Sequence, residues 1–169
     1  MEFTQDIIYK TDQRYVFDRL QHNKVFSRFI DLLIFSISIG IVYDERREVL
    51  GEERIEIARN TLMQPRLRKA LNFLFQTAVL TNEDLSKIYD DDTRMQLAFD
   101  DDFKVENFDR LQFLLEFAPF GLDMIEERVL HDNPGTAIDN LEEFLEELFQ
   151  EDLSQDIMAD IIGQDIDMD

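Results

Sequence analysis

The chain has 169 residues, of which 44% are hydrophobic, and a formal net charge of −21 at pH 7; that length fits one domain with a real core and leaves room for a terminal extension. It contains no cysteine, so disulfides, zinc–thiolate sites, iron–sulfur clusters and thiol nucleophiles are excluded. Five Gly and three Pro are few for a loop-rich or all-β fold, and this scarce punctuation points to long helices.

The start, Met1 to Asp6, lacks the basic and apolar regions of a secretion signal. Asp6-Ile7-Ile8-Tyr9-Lys10 is short, apolar and β-prone, an edge-strand pattern. Thr11-Asp12-Gln13 offers N-cap chemistry for a helix with Tyr15, Val16 and Leu20 at helical spacing. The next helix is expected from Lys24 to Tyr43, with Phe26, Phe29, Ile30, Leu33, Ile34, Ile37 and Ile41 on one broad face. Leu32, Phe35 and Ile39 make its other side apolar too, so burial nearly all round is expected. Its apolar run, Phe29–Tyr43, is broken by Asp31, Ser36 and Ser38 and is too short to span a bilayer. Gly40 lies near its end, where a C-cap or a close helix contact calls for Gly.

Asp44-Glu45-Arg46-Arg47-Glu48 reads as an exposed connection, and Arg54-Ile55-Glu56-Ile57-Ala58 alternates like a half-buried strand. Pro65 suits the start of a helix carrying Leu67, Leu71, Leu74, Phe75 and Ala78. Thr81 to Asp84 caps a short helix through Leu85 and Ile88. Two triple-Asp runs, Asp90–Asp92 and Asp100–Asp102, bracket another helical piece with Met95, Leu97 and Phe99. Residues 105–118 are expected to form an amphipathic helix that Pro119 and Gly121 end or kink, followed by a helix over Leu122–Val129. After the turn His131–Gly135, Thr136 leads into a helix with Ile138, Leu141, Phe144, Leu145 and Leu148.

Charge is graded along the chain. Residues 1–80 carry eleven acids and twelve bases, residues 81–128 fourteen acids and five bases, and residues 129–169 thirteen acids and no Lys or Arg. Such a C-terminal end repels nucleic acid and anionic lipid and attracts basic protein surfaces. From Asp152 onward acids alternate with Ile157, Met158, Ile161, Ile162, Ile166 and Met168, a pattern that suits a segment ordering on a partner.

Candidate chemistry is sparse. The Asp runs lack the alternate ligands, central Gly and terminal Glu of a calcium loop, and acids at helix ends are expected of them instead. His22 and His131 lie far apart, and no HExxH, GxSxG or Gly-rich phosphate loop is present. With 38 acids, any chosen carboxylate pair is uninformative. Arg46 and Arg47 can grip an anion or a partner's carboxylate, or pair within the chain with Asp44, Glu45, Glu48 and the acidic half.

Two blocks together resemble a known family. Phe29-Ile30-Asp31-Leu32-Leu33-Ile34-Phe35-Ser36-Ile37-Ser38-Ile39-Gly40, followed by Arg46-Arg47, resembles an apolar helix with an embedded Asp, a terminal Gly and a basic turn. Asp109-Arg110-Leu111-Gln112-Phe113-Leu114-Leu115-Glu116-Phe117-Ala118 with Gly121-Leu122-Asp123-Met124-Ile125 is similar to a helix, a Gly-containing break and an acidic helix. Both are patterns of the small "protein 4" group of accessory proteins associated with DNA-phosphorothioation (Dnd-type) gene clusters. The likeness covers roughly residues 7 to 129. It departs from the pattern at Ser36, Ile37 and Ser38, and in the acidic extension after Val129. It implies a role in defence against phage or other foreign DNA, without implying a chemistry.

The sequence thus predicts a mainly α, single-domain helical bundle over residues 1–150. A buried central helix is surrounded by helices at 66–79, 105–118 and 136–149, with at most a small two-stranded β element, and residues 151–169 form an acidic tail. The expected function is a non-catalytic, cytoplasmic accessory subunit of an anti-phage, DNA-modification-linked system. It binds a basic protein surface, such as that of a DNA-processing protein, through Glu142, Glu143, Glu146, Glu147, Asp156, Ile157, Ile161 and Ile162. The alternative is an acidic DNA mimic that blocks a nuclease or another DNA-binding protein. No cofactor, metal, membrane or direct nucleic-acid contact is expected, and self-association stays open.

Overall fold

The computed structural model describes residues 5–130 and 136–149. The first alternating segment forms β1 (Ile7–Thr11) and the second β2 (Glu53–Ile57); they pair antiparallel, with Ile7 opposite Ile57 and Tyr9 opposite Ile55. Ile7, Tyr9 and Thr11 point inward and Ile8 and Lys10 outward, as the two-residue period of a strand requires.

Helix α1 (Arg14–His22) ends at Asn23. Lys24 then adopts a left-handed conformation (φ 60°). Its amide donates to the Gln21 carbonyl (3.0 Å) and the Val25 amide to the Leu20 carbonyl (2.9 Å), a Schellman closure made without glycine. The central helix expected from Lys24 therefore begins later. Residues 24–28 carry the reversal, and α2 spans Phe29–Val42. Phe29, Ile30, Leu32, Leu33, Ser36, Ile37, Ile39, Gly40 and Ile41 are all buried on it.

A short α3 (Arg59–Leu62) precedes α4 (Pro65–Thr81), whose Pro65 sits in the first turn. Three helices then start from side-chain caps. Asn82 accepts from the Leu85 amide at α5 (Glu83–Ile88), Asp90 from the Thr93 amide at α6 (Asp91–Phe99), and Asp109 from the Leu111 and Gln112 amides at α7 (Arg110–Leu115). The helix expected over 105–118 is thus shorter than its apolar spacing suggests. Asn107 is left-handed (φ 60°), and the Asp109 cap fixes the start at Arg110 instead of residue 105. Pro119 opens α8 (Ala118–Ile125) rather than ending a helix, because its missing amide is tolerated in a first turn. A π-helical turn, Glu126–Leu130, prolongs α8, and residues 137–149 form α9.

The core centres on α2, and its principal neighbour is α8 rather than the 105–118 segment; α4 packs on it too. Two glycines set the α2–α8 approach. A Cβ at Gly40 would overlap the Phe117 carbonyl, and one at Gly121 would overlap the Ser36 carbonyl. Gly40 is therefore a close-contact glycine and not a C-cap. No helix among the described residues is long and apolar enough to cross a membrane.

Candidate protein-binding face

Helix α9 starts from a reciprocal cap. The Thr136 amide and hydroxyl both donate to the Asp139 carboxylate (3.0 and 2.7 Å), and the Asp139 amide donates to Thr136 Oγ1 (3.3 Å). This capping box fixes the first turn, and its hydrogen bonds hold the Asp139 carboxyl below the usual carboxylate range.

The helix is anchored from behind. Phe144 is 2% exposed and Asn140 is buried, and Ala137, Leu141 and Leu148 pack against the core. Asn140 Nδ2 donates to the Val129 carbonyl (3.1 Å) at the end of the π-helical turn, where Arg19 also donates to the Leu130 carbonyl (3.0 Å). Two carbonyls that a helix end leaves unpaired are thereby satisfied. Arg128 pairs with Glu147. The 3.6-residue period then fixes what faces outward.

Ile138, Glu142, Leu145 and Phe149 fall on one line of the helix, with Ile138 48% and Phe149 67% exposed and Leu145 half-buried. Asp139, Glu143 and Glu146 lie along one side of that line and, like Glu142 within it, are exposed. Among the described residues no cation is ion-paired with Glu142, Glu143 or Glu146. The result is an apolar strip with an acidic border on a rigidly seated helix, the arrangement that enters an apolar groove with a basic rim.

Of the partner-binding residues expected from sequence, Glu142, Glu143 and Glu146 lie together on this face, while Glu147 turns to Arg128. Asp156, Ile157, Ile161 and Ile162 lie outside the described residues. The exposed Ile138 and Phe149 were not among the expected contact residues: the sequence named Ile138 only as one of the helix's apolar residues and left Phe149 out. Their signal was present: at 3.6 residues per turn Ile138 and Phe149 lie at one edge of a broad apolar arc, on the side opposite Phe144 and Ala137.

Arg46 and Arg47 are engaged within the chain. Arg46 lies over the Phe113 ring (4.8 Å) and pairs with Glu116 (3.2 Å) and Asp84 (3.7 Å). Arg47 lies over the Phe120 ring (5.0 Å) and pairs with Asp123, and its amide donates to the Glu116 carbonyl (2.8 Å). The preceding Asp44, left-handed at φ 50°, accepts from Asn82 Nδ2 (2.6 Å) and the Glu83 amide (2.9 Å). This connection therefore latches α2 to α5, α7 and α8.

The Asp runs sit at helix ends. Asp90 caps α6 through the Thr93 amide (2.7 Å), which lowers its pKa; Asp91 pairs with Arg94 (2.5 Å), and Asp100 accepts from the Asp102 amide (2.9 Å). Among the described residues no group of three His, Cys, Asp or Glu is placed to hold a metal ion.

A cleft of about 710 Å³ lies between α6 and α7, walled by Leu97, Phe103, Val105 and Phe108. The arginine lining it, Arg110, ties the loop by donating to the Asp100 and Phe103 carbonyls (2.7 Å each). No convergence of acid, base and nucleophile is seen among the residues lining it. The chain matches no family model, no curated protein and no solved structure.

Proposed function

We propose that the chain is a non-catalytic interaction subunit that docks a basic protein surface through the outer face of α9. The observation that carries this reading is the pairing of exposed Ile138 and Phe149 with exposed Glu142, Glu143 and Glu146 on a helix held by Phe144 and Asn140. Buried apolar anchors supply most of the affinity of such a contact, and the charged border supplies selectivity and rate. The setting we propose is a bacterial anti-phage system linked to DNA modification, with a DNA-processing protein as partner; it rests on the resemblance of the two sequence blocks.

A DNA mimic is the second reading. It is favoured by the capping box and the Asn140–Val129 bond, because a mimic needs its acids at fixed positions. The two readings separate by experiment. The full chain is used to capture partners from nuclease-treated extract of its own cells, beside a Glu142→Lys/Glu143→Lys/Glu146→Lys variant. A docking subunit retains a stoichiometric partner that the variant loses and that duplex DNA does not displace. A mimic's partner is displaced by duplex DNA, and its binding weakens steeply with salt. A partner retained equally by the variant contradicts both.

A further inference from the structure

The one local concentration of bases outside the Arg46–Arg47 latch lies at the start of α4. Arg66 and Lys69 are exposed there, and among the described residues neither has an ion-pair partner. Beside them, between the beginnings of α2 and α4, is a cleft of about 420 Å³ lined by Arg28, Asp31, Ile34, Arg66, Leu67 and Ala70, with Ser27 at its edge. Its apolar lining is Ile34, Leu67 and Ala70. Its one acid, Asp31, is held by Arg28 through two hydrogen bonds of 2.7 Å, so the cleft with Lys69 beside it is net basic. One turn beyond Ala70, Phe73 stands 66% exposed on the same face of α4, where the helical period carries the apolar lining onward.

This is an apolar surface with a basic border on a chain whose net charge is −21. The complementary object is in the same chain. After Phe149 there are 20 residues, with seven acids and no Lys or Arg, and Ile157, Ile161 and Ile162 follow one another at helical spacing. The twelve residues from Phe149 to Ile161 reach about 40 Å when extended. That is comparable to the diameter of a folded chain of this length, so the segment can cover a large share of the surface around Phe149.

We propose that this cleft is the seat of the chain's own C-terminal segment, with Ile157, Ile161 and Ile162 on its apolar lining and Asp156 and Asp160 against Arg66 and Lys69. A tethered segment meets its own site at a high effective concentration, so contacts too weak to hold a free peptide suffice. A partner that takes the segment must first displace it, which makes its availability a regulated quantity. This surface is separate from the α9 face, and the two claims stand or fall separately.

The absence of native cysteine permits a direct test on the full chain. Ala70→Cys combined with Met158→Cys places one thiol in the apolar lining and one on the segment while leaving its three isoleucines intact. Ile8→Cys with Met158→Cys is the control, since Ile8 is exposed on β1. Under mild oxidation at low protein concentration, the cleft pair is expected to form an intrachain disulfide at least about tenfold faster than the control pair, because a seated thiol has a higher effective concentration than a merely tethered one. Adding Arg66→Glu and Lys69→Glu is expected to slow it to the control rate. Equal rates for the two pairs overturn the proposal. So does a predominantly interchain disulfide, which assigns the cleft to a second copy.

Discussion

Gly121 of α8 lies directly on the Ser36 carbonyl of α2, so closely that no Cβ fits between them. Ser36 is fully buried there, its hydroxyl turned back to the Leu32 carbonyl (2.7 Å). The overlap is with backbone rather than with a movable side-chain end, so the helices themselves must separate to admit a methyl group. Gly121→Ala is expected to destabilise the fold by about 3 kcal/mol, at the upper end of overpacking effects. Urea unfolding should show a lower midpoint with an unchanged slope, and Gly40→Ala, against Phe117, should behave alike.

The two arginines of the latch are expected to differ. Arg46 is about one quarter exposed and covers Phe113, whereas the Arg47–Asp123 pair is nearly half exposed on both sides. Arg46→Ala should therefore cost about 2 kcal/mol through lost ring contact and packing. Arg47→Ala should cost under about 1 kcal/mol, in keeping with a solvent-screened pair. Chemical denaturation of both variants checks the order, and a larger loss for Arg47 contradicts it.

Phe144→Ala should release α9 locally. Removing a buried aromatic ring costs about 3 kcal/mol, and here the loss falls on one terminal helix. Amide exchange over residues 137–149 is expected to accelerate while α2 and α4 stay protected. Uniform acceleration across the chain would show that α9 unfolds only with the whole.

Tyr9 and Tyr15 should ionise above the ordinary tyrosine range. Burial, then the nearby Asp123 carboxylate, pushes the Tyr9 hydroxyl far up, and the hydrogen bond to Glu126 pushes Tyr15 up to about 12. Both folded values lie above the unfolded value of 10.0. Their stabilising contribution is thus complete below pH 10 and is lost as pH rises through the folded values. Absorbance titration should show two tyrosine equivalents ionising only well above pH 10 or with unfolding, and Tyr9→Phe and Tyr15→Phe should each remove one of them.

Much of this architecture is legible in the residues themselves. The β1–β2 pairing follows from two alternating segments, and the burial of α2 follows from apolar residues on every side of it. Less legible were features set by single backbone angles. Lys24 and Asn107 turn left-handed without glycine, so the spacing of Phe26 or Phe108 extended helices into residues that are turns. Pro119 is as compatible with opening a helix as with ending one, and only the position of α8 against α2 decides. The exposure of Ile138 was not legible because the period of α9 marks a wide apolar arc, and spacing alone does not say which part of that arc faces the core.

The central claim is that α9 presents Ile138 and Phe149 to a partner. It is tested most directly by an Ile138→Asp/Phe149→Asp variant of the full chain, captured beside the unaltered chain from nuclease-treated extract after circular dichroism has shown the same fold. The account predicts that a stoichiometric, basic-surfaced partner is retained by the unaltered chain and lost by the variant. Equal retention by both, or no partner on the unaltered chain, would contradict it.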